Sequence, residues 1–94
     1  MNKAAALHIL VKTESEAQAL KVRLEKGEDF FKLAKQHSMC PSKKQGGDLG
    51  EFKRGAMVKP FDQAVFAKGS EDKSVIGPVK TRFGFHLIRV LYKS

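Results

Sequence analysis

Three side chains in this 94-residue sequence have the chemistry for a functional site: His8, Cys40 and His86. The two histidines lie in the two most apolar segments, "AALHILVK" and "FGFHLIRVL". In an alternating strand, residues two apart share a face, so His86 shares its face with Ile88 and Val90. The same alternation predicts that Phe83, Phe85 and Leu87 point to the other face. A single histidine in such a place is usually structural. Two of them, one in each strongly patterned segment, indicate a shared role.

Three kinds of site fit this set. Imidazole and thiolate ligands suit zinc, but the sequence has no close-spaced pair such as C-x-x-C or H-x-x-x-H. Covalent catalysis would use Cys40 as the nucleophile and a histidine as its base, although such distant pairs occur by chance in most proteins. In the third, a polar pair forms the floor of an apolar pocket built by Leu49, Met57 and Phe61. The two histidines meet only if the first and last strands are neighbours, as terminal strands of a small sheet often are.

Composition limits the class of protein. With 41% apolar residues, we expect one domain over residues 1–94 and too little chain for a second core. No apolar run approaches the ~20 residues that cross a bilayer, and no signal peptide is evident, so we expect a cytoplasmic protein. The single cysteine suits a reducing compartment. A net charge of +8 favours anionic partners, but the basic residues are dispersed, which favours a solvated basic surface over nucleic-acid binding.

The first half of the chain is predicted to form a strand and two helices. The strand covers residues 4–12, and a T-x-x-E capping box at Thr13 and Glu16 opens the first helix. Its buried stripe is predicted at Ala17, Leu20 and Leu24. Asp29 is predicted to cap the second helix. The inner face of that helix is expected to carry Phe30, Leu33, Ala34 and His37.

The second half begins with a glycine-rich loop over residues 38–55, with one helical turn after Pro41 and a short strand over residues 50–53. Pro60 fits the first turn of a third helix. Strands are predicted over residues 74–79 and 84–92. The order β-α-α-loop-β-α-β-β predicts an α+β fold with helices packed on a sheet.

Four motifs in this order resemble those of the parvulins, a family of peptidyl-prolyl cis/trans isomerases: "LHILVK", "GGDLGEF", "RGAMVKPFDQAVF" and "GPVKTRFGFHLIRVL". The resemblance runs from about residue 4 to residue 92, and the compact form is most similar to the small free-standing bacterial members. It implies a four-stranded antiparallel sheet surrounded by about four helices, one of them short and following Cys40.

The resemblance also implies roles for individual residues. The paired active-site histidines of the family fall on His8 and His86, its polar active-site position on Cys40, and its hydroxyl on Thr81. The proline pocket falls on four apolar residues, Leu49, Met57, Phe61 and Phe83. No cofactor and no metal are implied.

The activity implied is rotation of X–Pro bonds in peptides and unfolded proteins, without a covalent intermediate, in support of protein folding. Phosphate-directed members carry a basic insertion between the first strand and first helix, whereas only "VKTES" joins them here. We therefore expect no phosphate specificity. A monomer without nucleic-acid or membrane partners is the expected state. The alternative in another class is a non-catalytic peptide-binding module with the same fold.

Overall fold

Four antiparallel strands form one sheet in the computed structural model, which describes residues 2–94. The strands are β1 (Lys3–Val11), β2 (Asp48–Lys53), β3 (Ile76–Thr81) and β4 (Gly84–Lys93), and they lie in the order β2-β1-β4-β3. The helices are α1 (Glu14–Glu25), α2 (Phe30–His37) and α3 (Lys59–Phe66), with two short 3-10 segments at Pro41–Gln45 and Ser70–Asp72. Among residues 2–94, no helix has both the length and the apolar content that crossing a bilayer demands.

The first and last strands are neighbours, as predicted, and they occupy the two central positions of the sheet. β1 and β4 pair so that His8 lies opposite Ile88, and Leu10 lies opposite His86. Successive side chains of a strand point to opposite faces, so each strand supplies both sides of the sheet. The chain's two most apolar segments therefore build the middle of the sheet.

The two faces of this sheet are covered differently. On the closed face, the buried side chains of Ile9, Val11 and Leu87 pack against α1 and α2 in one cluster. On the open face, Ile88 and Val90 pack with Phe61 and other residues of α3 in a second cluster. His8, Leu10 and His86 also belong to the open face, and all three are buried.

The predicted helix starts are confirmed. Thr13 Oγ1 accepts a hydrogen bond of 3.2 Å from the Glu16 N–H, and Asp29 Oδ1 accepts one of 3.0 Å from the Phe31 N–H. Pro60 lies in the first turn of α3, where N–H groups have no partner within the helix, so the missing N–H of proline costs no hydrogen bond. The inner face predicted for α2 is wrong at one position. His37 is exposed, because it is the last residue of the helix and extends past the packed face.

Two further expectations need correction. About four helices were expected, whereas residues 2–94 contain three α-helices, and the short helix expected after Cys40 is the 3-10 segment. That segment has five residues and ends at Gly46, whose left-handed φ of 68° stops it before an α-helical turn can develop. β3 begins and ends two residues later than predicted, and its pairing with β4 is interrupted by a bulge between Ile76 and Val79 before it continues to Thr81.

Candidate active site

Two buried imidazoles contact each other on the open face. The Nδ1 atoms of His8 and His86 are 3.1 Å apart, and the rings are stacked with centroids 5.3 Å apart and planes 19° from parallel. Only 5% and 4% of their surfaces are exposed. The adjacency that the sequence left open is therefore present, and it follows from the pairing of β1 with β4.

A hydroxyl extends this pair into a chain of hydrogen bonds. Thr81 Oγ1 lies 2.7 Å from His86 Nε2, and the Phe83 N–H donates to Thr81 Oγ1 at 3.1 Å. A neutral imidazole donates from one nitrogen and accepts at the other, so His86 has opposite roles toward His8 and Thr81. His8 Nε2 is buried and has no hydrogen-bond partner within residues 2–94. The network therefore ends at a nitrogen whose hydrogen-bonding capacity is unused.

Burial keeps both rings uncharged at neutral pH. Desolvation lowers the pKa of His8 to about 4, and repulsion from His86 contributes to the same shift. Desolvation also lowers the pKa of His86 to about 4. An imidazolium on either ring would be costly because little water reaches it. The pair can act through hydrogen bonding and orientation, but it carries no positive charge near pH 7.

A cavity of about 440 Å³ opens beside the pair. Its walls carry no residue that is charged at neutral pH, and its floor includes both imidazoles. Each of the four apolar residues assigned by the resemblance lines it, namely Leu49, Met57, Phe61 and Phe83. Cys40 lines it as well. A space of this size and polarity suits a small apolar ring with its flanking peptide groups.

Phe61 joins the cavity wall to the histidine pair. Its ring meets both imidazoles edge-on, with centroids 5.5 Å from His8 and 5.2 Å from His86. Pro60 fixes the first turn of α3, so Phe61 follows directly and points to the sheet, where only 3% of its surface is exposed. Phe61 is thus both part of the core and part of the cavity.

Phe83 reaches the cavity in a way that strand alternation did not predict. Alternation placed Phe83 on the opposite face from His86, together with Phe85 and Leu87. The structure shows that Phe83 precedes β4, in the turn that follows Thr81, where alternation does not apply. Its ring lines the cavity and remains 51% exposed, so it forms an outer wall.

Cys40 lies at the cavity edge, directly before the 3-10 segment. Its side chain is half-buried, and within residues 2–94 its thiol makes no hydrogen bond to His8 or His86. No three His, Cys, Asp or Glu side chains in this part of the chain are placed to hold a metal ion. The Cys40 thiol therefore lines the same cavity as the two histidines but is not hydrogen-bonded to either of them.

Ser38 is a residue that the sequence analysis did not identify. Its buried Oγ accepts a hydrogen bond of 3.0 Å from the Leu10 N–H and one of 3.3 Å from the Cys40 N–H. The Met39 N–H also donates to the Leu10 carbonyl, at 2.7 Å. These bonds attach the segment that carries Cys40 to the strand that carries His8. A serine directly after a helix is the only signal in the sequence, and it is too common to identify such a role.

Two glycines lie directly behind the histidines. A Cβ on Gly47 would lie 2.3 Å from the His8 carbonyl oxygen, and a Cβ on Gly77 would lie 2.5 Å from the His86 carbonyl oxygen. Both glycines have positive φ, 86° and 123°, which other residues rarely adopt. The backbone beneath each imidazole is thus fixed by a contact that only glycine permits.

The chain is similar to known proteins over most of its length. The model of the rotamase family, the PPIC-type PPIase domain, matches residues 7–91. The foldase protein PrsA of Geobacillus sp. is 50% identical over 93 residues, which cover 98% of this chain and 33% of that protein. The crystal structure of PrsA from Bacillus cereus has a TM-score of 0.89 and 45% identity, over 99% of this chain and 36% of that one.

A relative of similar extent is NmPin, the parvulin of Nitrosopumilus maritimus. Its solution structure has a TM-score of 0.82 and 45% identity, and the match covers 96% of both chains. The chain thus belongs to the parvulin family of PPIC-type peptidyl-prolyl cis/trans isomerases. It spans about a third of the length of the curated relatives that it matches.

Proposed function

We propose that this chain accelerates cis/trans rotation about X–Pro bonds in peptides and unfolded proteins, with the proline ring held in the cavity beside His8 and His86. One observation carries this proposal: an apolar cavity free of charge at neutral pH has two hydrogen-bonded, neutral imidazoles at its floor. Such a site has an affinity for an apolar ring and a polar atom next to it, and it lacks an activated nucleophile.

The physical task is to lower a torsional barrier. An X–Pro bond rotates slowly because twisting breaks amide resonance, at a cost of about 18–20 kcal/mol. Twisting also reduces the negative charge on the carbonyl oxygen, so an apolar surrounding disfavours the twisted form less than the planar forms. Leu49, Met57 and Phe61 would hold the pyrrolidine ring and exclude water from its carbonyl. Binding the twisted amide better than either planar form is sufficient for catalysis.

The histidine pair would set the polarity at the floor of the cavity. Phe83 N–H, Thr81, His86 and His8 form one chain of hydrogen bonds, which holds the two rings in a fixed orientation. The unpartnered His8 Nε2 lies at the end of this chain. These groups are preorganised, so they need not rearrange when the bound amide twists.

We infer that the reaction proceeds without a covalent adduct. Isomerisation makes and breaks no bond, and the Cys40 thiol has no hydrogen bond to an imidazole that would activate it. We expect Cys40→Ser to fold and to keep appreciable activity in an isomerisation assay. Complete loss of activity in a well-folded Cys40→Ser protein would contradict this inference and favour a nucleophilic thiol.

The substrates proposed are unphosphorylated proline-containing segments. β1 ends at Val11 and α1 begins at Glu14, so two residues, Lys12 and Thr13, join them and supply no arginine cluster for a phosphate. The foldase name of the PrsA relatives supports unfolded proteins as clients. A gain of tenfold or more for phosphoserine over glutamate before the proline would contradict this substrate class.

The decisive experiment compares Met57→Ala with Val22→Ala in an isomerisation assay that uses a proline tetrapeptide. Met57 lines the cavity, whereas Val22 is an exposed apolar residue of α1 across the sheet. We expect kcat/KM to fall by about tenfold or more for Met57→Ala and to stay unchanged for Val22→Ala, because only the first shortens the wall against the proline ring. Activity retained by Met57→Ala would overturn the assignment of the cavity. A wild-type protein that binds the peptide without isomerising it would indicate a peptide-binding module.

We also propose that the chain acts as a monomer in the cytoplasm. The single cysteine supports a reducing compartment, and the net charge of +8 opposes self-association. Sedimentation of the purified chain and fractionation of its native source test these two statements separately.

A further inference from the structure

An exposed arginine stacks on one of the rings that line the cavity. The guanidinium carbon of Arg82 is 4.9 Å from the centroid of the Phe83 ring, which forms the outer wall. Arg82 is exposed, and no carboxylate within residues 2–94 forms an ion pair with it. Stacking on an aromatic ring holds a guanidinium in place while its N–H groups stay available to an acceptor.

The carboxylates closest in sequence to the cavity walls are already engaged by this chain. Asp48 accepts a hydrogen bond of 2.8 Å from the Gly50 N–H, and Asp62 accepts one of 2.7 Å from the Gly55 N–H. Glu51 accepts one of 2.8 Å from the Tyr92 hydroxyl. These three acidic side chains are used to fix loops and strands, so they are poorly placed to neutralise the arginine.

We propose that Arg82 selects peptides that carry a carboxylate next to the proline, a statement that rests on the proposed isomerase function. The cavity has no charged wall, so it binds the proline ring without regard to charge, and the arginine stacked on its outer wall then acts on the neighbouring side chain. The net charge of +8 adds a general attraction for acidic segments, and Arg82 makes that attraction local.

The expected effect is modest and depends on salt. A pair of opposite charges about 5–6 Å apart in water-like surroundings changes affinity about three- to fourfold, which sets the scale for an exposed arginine. Screening at high ionic strength reduces such an effect, because the Debye length falls to about 3 Å near 1 M salt. A site with several arginines in a phosphate clamp would show a larger preference.

The test measures kcat/KM by exchange NMR for tetrapeptides with glutamate or glutamine directly before or directly after the proline. The glutamate-to-glutamine ratio is compared between the wild type, Arg82→Gln and Lys26→Gln. Lys26 follows α1 on the other side of the sheet, so its substitution removes the same charge far from the cavity. We expect a ratio of about three at one of the two positions in 20 mM salt for the wild type and Lys26→Gln, and of about one for Arg82→Gln.

The possible outcomes are distinct. Equal ratios in wild type and Arg82→Gln, with clear isomerisation of all peptides, would overturn this inference and leave the proposed function intact. An equal drop in the ratio for Lys26→Gln would overturn it too, by showing that net charge alone sets the preference. Absence of isomerisation with every peptide would contradict the proposed function itself. Loss of the preference in 1 M salt for wild type would support the electrostatic origin.

Discussion

The two faces of the sheet are built from the same two strands and have opposite properties. On the closed face, Ile9, Val11 and Leu87 are fully covered by two helices, and no titratable side chain belongs to that cluster. On the open face, α3 covers only part of the sheet, and two histidines lie where its cover ends. The contrast indicates that the two faces have divided roles. The closed face supplies the stability that allows the open face to keep a cavity.

This division has a physical reason. A cavity of about 440 Å³ forgoes the contacts that would fill it, and two buried imidazoles add the cost of desolvation. A 94-residue chain has a total stability of only about 5–15 kcal/mol, so those costs must be offset on the closed face. The comparison makes three predictions, which test the two faces separately.

The largest expected effect is a loss of stability in mild acid through the open face. The pKa of both His8 and His86 is lowered to about 4, against about 6.5 in the unfolded chain. The unfolded state therefore binds more protons between pH 6.5 and 4, and stability is full above pH 6.5 and falls as the pH drops through this window. From pH 7 to pH 5 we expect the free energy of unfolding to fall by about 4 kcal/mol for the pair together.

Denaturant titrations at half-unit pH steps check this prediction. The range above pH 5 is chosen because most carboxylates titrate below it. His37→Gln is the control, because it replaces the third histidine, which is exposed and does not line the cavity. A wild-type stability that stays level from pH 7 to pH 5 would show that the rings are solvated, and the two faces would then not differ in this respect.

The next effect in size is a loss of stability through the closed face. Leu87 is fully buried between the sheet and its two helices, so Leu87→Ala should lower the free energy of unfolding by about 2–5 kcal/mol. The activity of each folded molecule should remain within about twofold, since Leu87 points away from the cavity. Denaturant unfolding and kcat/KM, measured on the same sample at low temperature, check both parts. A tenfold loss of activity in folded Leu87→Ala would show that the two faces are coupled.

The smallest effect concerns two serines near Cys40. Ser38→Ala leaves the buried N–H of Leu10 and the part-buried N–H of Cys40 without this acceptor and should cost about 1–3 kcal/mol. Ser42 is the matched control, because its buried Oγ has no partner within residues 2–94, and Ser42→Ala should stay within about 0.5 kcal/mol of the wild type. Equal changes in unfolding free energy for the two variants would contradict the positioning role of Ser38.

The sequence predicted the parts of this molecule that depend on local pattern. The alternation in β1 and β4 placed His8 and His86 on buried faces, and the caps at Thr13 and Asp29 are made by the side chains expected. The sequence analysis also predicted that the first and last strands are neighbours, and the pairing of β1 with β4 confirms this prediction.

The remaining features depend on contacts that no local pattern records. Ser38 bonds to a strand 28 positions earlier in the chain, and the inclusion of Phe83 in the cavity follows from a turn, where alternation ends. His37 fits the helical spacing of α2 but lies at its end, where packing stops. The catalytic and substrate-binding roles given to the site residues remain predictions, because the geometry brings these side chains together without recording a reaction.

The glycines behind the histidines have a consequence for how such a domain diverges. Gly47 and Gly77 leave no space for a side chain behind the carbonyls of His8 and His86, so almost every mutation there displaces an imidazole. Phe83 and Arg82 lie in an exposed turn and can be exchanged with little effect on the backbone. Substitutions in this turn can therefore reshape the outer wall of the cavity, whereas substitutions at the two glycines also disturb the histidine pair.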